Sequence, residues 1–211
     1  MELNEPIIRT GHPPHPGRYK MAGVALLRFL RRVFFFLLIF VFTFHFPYFD
    51  STDLSRQESI KEILTVLEKH PTGLANAMKE ELAEIIYEES TRYNHDPKFI
   101  MAVIYTESEF YNWAVSSRGA KGLMQIMPEV GEYLSQEMGI EWSGDRTLFN
   151  PALNIRMGIY YLSRLILDFD DVRLALTAYN YGPTHVRGLI ESKQNIPANY
   201  YRKIFTVYQN L

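Results

Sequence analysis

Glu107 is a carboxylic acid at the end of a strongly apolar segment. Every residue from Phe99 to Ile104 is apolar, and a helix that is apolar on all faces is usually buried. Burial disfavours the charged form of a carboxyl group and raises its pKa. A carboxyl that stays protonated near neutral pH can donate a proton to a leaving oxygen. Glu107 is therefore a candidate general acid, although a Glu at a helix end is more commonly a surface residue or half of an ion pair.

The segment GLMQIMP places a second polar residue in an apolar setting. Gln125 lies between Met124 and Ile126, and a buried amide without partners costs free energy. We therefore expect Gln125 to direct its amide donors and its acceptor towards a ligand, while Met124 and Ile126 belong to the core. Met127 can offer a soft, adaptable apolar surface beside it.

The elements that must position these residues are helices. Apolar residues recur at helical spacing through most of the chain after residue 50, and strand-like alternation is absent. Asp96 and Asn150 are each followed by proline, a typical helix start, and one helix is expected to stop at Gly182. This pattern predicts a compact all-α catalytic domain over residues 74–211. The helix over residues 55–70 is expected to be a stalk or a lid.

Composition excludes several classes of function. The net charge is −2, which gives no electrostatic support for nucleic-acid binding. The chain has no cysteine, and its six histidines are scattered, so we expect neither a metal site nor a cofactor.

The N-terminal region predicts a membrane anchor. Residues 1–20 are rich in proline and glycine and are expected to form a disordered cytoplasmic tail. Residues 21–49 contain three arginines followed by an apolar run over residues 33–46, which favours an uncleaved signal anchor over a cleaved signal peptide or a buried core helix. Residues 50–73 then form a stalk or linker. Because the basic residues precede the run, the N-terminus is predicted in the cytoplasm and the rest of the chain across the membrane.

Three sequence blocks carry a resemblance to a known family. They are ESEFYNWAVSSRGAKGLMQIMP from Glu107 to Pro128, NPALNIRMGIYYLSRLI from Asn150, and ALTAYNYGP from Ala175. In this order and spacing they are similar to the lytic transglycosylases with a lysozyme-like domain, which cleave bacterial peptidoglycan. The resemblance implies a mainly helical, lysozyme-like fold in which Glu107 is catalytic.

The same resemblance implies a set of residues that bind the sugar chain. Tyr179 would lie near the reacting sugar and help hold Glu107, and Asn180 would brace the wall of the cleft. Tyr200 is a looser match, because Ile196 occupies a position that is often acidic in the family, and Tyr181 replaces a small residue. The implied substrate-binding residues are Ser108, Ser116, Gln125, Met127, Tyr179, Asn180 and Tyr200.

The number of acids points to one reaction type. Glycosidases generally use two carboxylates, whereas here Glu109 is expected to point away on the same helix, and Glu129 and Glu132 suit the start of the next helix. The resemblance implies a non-hydrolytic cleavage of the MurNAc–GlcNAc β-1,4 link that leaves 1,6-anhydro-MurNAc ends, with Glu107 as acid and then base. Two alternatives remain: a muramidase resembling goose-type lysozyme, and a non-catalytic glycan-binding scaffold.

Overall fold

The computed structural model describes residues 27–38 and 51–211. The chain divides into two compact units, Met1–Asp50 and Ser51–Leu211. In the first unit, residues 27–38 form a helix, α1, whose apolar side chains are exposed. Within the described ranges, no helix has both the length and the apolar character needed to cross a membrane. The predicted tail at residues 1–20 and the remainder of the predicted anchor lie outside the described residues.

The second unit is all-helical, as the sequence predicts, apart from two isolated β-bridges. Its helices in chain order are α2 (Ser51–Glu68), α3 (Asn76–Arg92), α4 (Pro97–Ser108), α5 (Pro128–Met138), α6 (Asp145–Leu148), α7 (Pro151–Phe169), α8 (Val172–Tyr181), α9 (Pro183–Glu191) and α10 (Asn199–Asn210).

The predicted helix starts have the expected capping contacts. The Asp96 side chain accepts a hydrogen bond from Lys98 N at 2.8 Å, and the Asn150 side chain accepts one from Leu153 N at 3.1 Å. Each satisfies an amide that the first turn of its helix leaves unpaired. Gly182 ends α8 with a φ of 90°, which confirms the predicted stop.

Helix α4 lies at the centre of the core. Ile100, Ala102 and Val103 are fully buried, and Ile104 is 1% exposed, so the prediction that this helix is buried on nearly every face is confirmed. It packs against α2, α3 and α10. Glu107 therefore lies at the end of a helix that is surrounded by other helices, and such core helices rarely open locally.

Helix α2 is packed onto the same unit. Its Ile63 and Leu67 are 4% and 0% exposed and belong to the main core cluster. The loop that follows α2 is tied to the segment after α4, because Asn112 N donates to Thr72 O at 3.0 Å. Residues 51–73 therefore fold with the rest of the unit, and a catalytic boundary at Leu74 stays a prediction.

Two local expectations are corrected. Glu109 is not on helix α4: it follows the helix end in the left-handed conformation, with φ 51°, and it is exposed. Helix α9 was not predicted; it is only nine residues long and starts at Pro183, directly after the predicted stop at Gly182. Its Val186 side chain is buried and belongs to a small second core cluster.

Candidate active site

Glu107 and Tyr200 are hydrogen-bonded at the junction of α4 and α10. The Tyr200 hydroxyl donates to Glu107 Oε1, and Tyr200 is 8% exposed. Burial raises the pKa of Glu107 from 4.5 to about 7, against opposing contributions from the Tyr200 hydrogen bond and the Lys203 charge. This carboxyl can therefore both donate and accept a proton near neutral pH, which general acid–base catalysis by a single group requires.

Tyr179 lies near Glu107 but bonds elsewhere. Its hydroxyl donates to Met124 O at 2.8 Å, and burial together with the nearby Glu107 charge raises the pKa of Tyr179 well above 10.0. The expectation that Tyr179 holds Glu107 is therefore corrected: Tyr200 makes that hydrogen bond. Tyr179 instead connects α8 to the loop that contains Gln125.

A buried asparagine on α7 holds the same loop from the other side. Asn154 is fully buried; its Oδ1 accepts from Met124 N at 2.8 Å, and its Nδ2 donates to Lys121 O at 3.0 Å and Leu148 O at 2.8 Å. Asn154 thus gives the buried Met124 N its acceptor, as a backbone amide away from water requires, and connects the loop to α6 through Leu148 O.

Gly158, one turn further along α7, gives Met124 its space. A Cβ built at Gly158 would lie 2.4 Å from Met124 Sδ and 2.6 Å from Met124 Cβ, closer than real carbon contacts allow. Asn154 and Gly158 were not predicted as site residues, although both lie in the second block that resembles the family. Their spacing of four residues places them on the same face of α7.

The side chain of Gln125 is partly buried, and both of its amide hydrogens are used inside the loop. Nε2 donates to Gly122 O at 2.9 Å and to Ala114 O at 3.2 Å. The expectation that these donors reach a ligand is therefore corrected, because they brace a backbone in which Gln125 itself has φ 50°. The Oε1 acceptor has no protein donor among the described residues, and contact of this atom with substrate stays a prediction.

The two predicted serines have different surroundings. Ser108 is buried, and its hydroxyl donates to Leu123 O at 2.8 Å, which ties the end of α4 to the loop. Ser116 is partly exposed, and its Oγ accepts from Ala120 N at 3.0 Å. A hydroxyl that accepts one bond keeps its own hydrogen for another acceptor, so Ser116 is better placed than Ser108 to contact a ligand.

The remaining predicted residues lie at the two edges of this arrangement. Met127 is the partly exposed N-cap of α5. Asn180 is exposed in the last turn of α8, where it is not the helix C-cap. Substrate binding by both residues stays a prediction. Within the described part of the chain, no cluster of His, Asp and Glu side chains suits a metal ion.

These features define a class of protein: a helical domain with one partly buried, tyrosine-bonded acid at the end of its central helix, next to a braced loop. The profile of the Transglycosylase SLT domain matches residues 84–201, and the chain belongs to this family. The predicted relationship to lytic transglycosylases with a lysozyme-like domain is thereby confirmed.

Individual relatives agree with this assignment. The chain is 37% identical over 119 residues to the membrane-bound lytic murein transglycosylase F of Desulfosudis oleivorans, which covers 53% of this chain and 24% of that protein. It is 30% identical over 131 residues to the membrane-bound lytic murein transglycosylase C of Histophilus somni, covering 57% of this chain and 36% of that protein. The chain thus aligns with only about a quarter to a third of the length of these relatives.

A solved structure supports the fold. The 70 kDa soluble lytic transglycosylase of Escherichia coli superposes with a TM-score of 0.55 at 22% identity, over 72% of this chain and 28% of that chain. The described helical unit thus has the all-α, lysozyme-like architecture of that enzyme's matching region.

Proposed function

We propose that this protein is a peptidoglycan lytic transglycosylase that cleaves the MurNAc–GlcNAc β-1,4 link and leaves 1,6-anhydro-MurNAc ends. The observation that carries the proposal is the state of Glu107: a partly buried carboxyl, hydrogen-bonded by Tyr200, with its pKa raised by desolvation to about 7. Membership of the family and the names of its relatives support the choice of peptidoglycan as substrate.

In the first step, the protonated Glu107 gives its proton to the bridging oxygen of the glycosidic link. The bond between C1 of MurNAc and that oxygen breaks, and the carbonyl oxygen of the N-acetyl group on MurNAc stabilises C1. The Glu107 carboxylate that results accepts a hydrogen bond from the Tyr200 hydroxyl. This hydrogen bond is stronger when Glu107 is charged than when it is protonated.

In the second step, the Glu107 carboxylate takes the proton from the 6-hydroxyl of the same MurNAc. The oxygen of that hydroxyl bonds to C1, the acetamido oxygen leaves, and a 1,6-anhydro ring closes. Glu107 is protonated again, and no water is consumed. A carboxyl with a pKa near the working pH suits both roles, because each protonation state is well populated.

The surroundings of Glu107 support a mechanism with one acid. Among the described residues, Tyr200 and Lys203 lower the pKa of Glu107, and no second carboxylate contributes to its rise. An enzyme that hydrolyses the link with two carboxylates would place the second within about 5–10 Å of the first. Glu109, the nearest acid in sequence, is exposed beyond the helix end.

Mass spectrometry of purified peptidoglycan digested with the protein tests this proposal. We expect fragments that end in 1,6-anhydro-MurNAc, each 18 mass units lighter than the hydrolysis product, as loss of one water requires. Fragments with reducing ends would instead identify a muramidase. Binding to the glycan without any turnover would identify a scaffold.

We also propose that the N-terminal region anchors the protein in the inner membrane with the catalytic unit in the periplasm. The apolar run over residues 33–46 and the arginines before it support this, and the apolar side chains of α1 are exposed. Membrane fractionation with protease access to residues after Asp50 tests it. A soluble mature form that starts near Asp50 would identify a cleaved signal peptide.

A further inference from the structure

Helix α10 brings two polar side chains to the end of α4. Tyr200 donates to the carboxyl of Glu107, and Lys203 Nζ donates to the backbone carbonyl of Thr106 at 3.0 Å. Residues three apart on a helix lie on the same face, so Tyr200 and Lys203 approach the last turn of α4 together. One contacts the side chain of Glu107, and the other contacts the peptide unit just before it.

The Lys203 contact has an immediate structural reason. The last carbonyl groups of a helix have no amide partner within the helix, and a cation near a helix C-terminus is favourable. Capping alone would account for a modest contribution to stability. It does not explain why the capped carbonyl is the one that precedes the catalytic carboxyl.

Three charged or titratable side chains face Glu107 from neighbouring helices. Tyr200 and Lys203 face it from α10, and Tyr179 faces it from α8. Among these groups in the described chain, Lys203 is the single cation. Its ammonium therefore favours the carboxylate form of Glu107, whereas burial favours the acid form.

We propose that Lys203 is a positioning residue for Glu107, which fixes the last turn of α4 through Thr106 O and places a positive charge beside the carboxyl as it cycles between acid and carboxylate. The proposed mechanism needs Glu107 to release a proton in one step and recover it in the next. Without Lys203, burial would hold the carboxyl more firmly in its protonated form, and the second step would be favoured at the expense of the first.

The test is to observe the Glu107 carboxyl directly in the full-length chain. An NMR titration of the protein with carbon-13 in its glutamate carboxyls gives the pH at which Glu107 is half protonated. The signal that is missing in Glu107→Gln is the one that belongs to Glu107. We expect Lys203→Met to raise the midpoint by about half a pH unit, the size expected for a screened charge pair. Lys203→Arg, which keeps the charge, should stay close to the wild-type value.

Arg202→Met is the matched control. Arg202 is the adjacent, exposed residue of α10, so its replacement removes one positive charge from the same helix without touching the contact to Thr106. A shift in Lys203→Met no larger than in Arg202→Met would overturn the proposal. So would a Lys203→Met protein that melts earlier but titrates like wild type, since this result would leave Lys203 as a helix cap only.

The pH dependence of kcat/KM on purified peptidoglycan extends the test. In Lys203→Met the alkaline fall in kcat/KM should shift to higher pH, by the same amount as the NMR midpoint. In Lys203→Arg it should lie at the wild-type pH. This arm rests on the proposed function, whereas the titration does not. If wild type has no turnover, the proposed function fails, and the titration still decides whether Lys203 acts on Glu107.

Discussion

Tyr200 lies 93 positions after Glu107 in the chain and is hydrogen-bonded to its carboxyl. The contact joins the C-terminal helix α10 to the central helix α4. Since a carboxyl that accepts a hydrogen bond is favoured in its charged form, Tyr200 opposes the rise in pKa that burial imposes on Glu107. Helix α10 is therefore part of the candidate active site and not only of the core.

Tyr200→Phe should slow turnover and raise the pKa of Glu107 above about 7. The ring still fills its place, but the carboxylate loses its donor, and a hydrogen bond to a charged group corresponds to about a 10- to 100-fold effect. The pH profile of kcat on purified peptidoglycan measures both changes. Tyr201→Phe is the control, because Tyr201 stacks on Phe205; equal losses in the two variants would contradict a role specific to Tyr200.

Glu107→Gln should lower turnover by about 10²–10⁴-fold or more, because an amide can neither donate nor accept the catalytic proton. Glycan affinity should remain, since the loop around Gln125 is held by contacts that do not involve Glu107. Rates and binding on purified peptidoglycan measure the two effects separately.

The exposed neighbour provides the control for Glu107. Glu109→Gln removes a carboxylate two residues away and should leave activity near wild type. If Glu107→Gln keeps more than about a tenth of wild-type activity, or if Glu109→Gln abolishes it, the assignment of the general acid is wrong.

Local patterns in the sequence predicted most of the helices and made Glu107 a candidate acid, which the resemblance to the family then favoured. The apolar run before Glu107 indicated both a buried helix and a raised pKa, and both depend on residues that are close in the chain. Asp96 and Asn150 indicated helix starts for the same reason. These features follow from short-range rules of capping and periodicity.

The partners of the site could not be inferred in this way. Tyr179 and Tyr200 are both near Glu107, and only the packing of α8 and α10 decides that Tyr200 makes the hydrogen bond. Gln125 was recognised as polar in an apolar setting, but the fold brings Ala114 O within reach of its amide. Long-range contacts of this kind depend on how the helices pack, which periodicity does not encode.

Gln125→Met should weaken glycan binding and also lower stability, by about 1–3 kcal/mol for two lost hydrogen bonds. Methionine keeps the length of the side chain but leaves Gly122 O and Ala114 O without this donor. Thermal unfolding and KM on purified peptidoglycan measure the two effects. Ser117→Ala, at an exposed position before Arg118, is the control; an unchanged KM in Gln125→Met would show that the loop does not contact the glycan.

Gly158→Ala should destabilise the protein by about 1–3 kcal/mol, because the added methyl group overlaps Met124 and overpacking has this cost. It should also lower activity, since the backbone of Met124 makes the hydrogen bonds that connect the loop to Asn154 and Tyr179. Gly188→Ala on α9 is the matched control. A Cβ there meets nothing within 4 Å, so that variant should gain about 0.5–1 kcal/mol. Equal behaviour of the two variants would contradict the tight contact at Gly158.

The raised pKa of Glu107 should make the stability of the protein depend on pH. Its pKa rises from 4.5 to about 7 on folding, so between these values the folded state binds more protons than the unfolded state. The free energy of unfolding should therefore decrease as pH rises through this window and level off above it. A shift of this size corresponds to at most about 3 kcal/mol at the alkaline end.

Glu107→Gln removes this titration, so the stability advantage of the variant over wild type should depend on pH. At pH 8 the variant should be more stable than wild type, because the amide avoids the cost of a buried carboxylate. At pH 4 the two proteins should be about equally stable, because Glu107 is then protonated in the folded state and largely protonated in the unfolded state. Denaturant unfolding of both proteins at pH 4, 6 and 8 measures the difference. A difference that does not grow with pH would mean that the carboxyl is not desolvated, and the basis for its role as a proton donor near neutral pH would be lost.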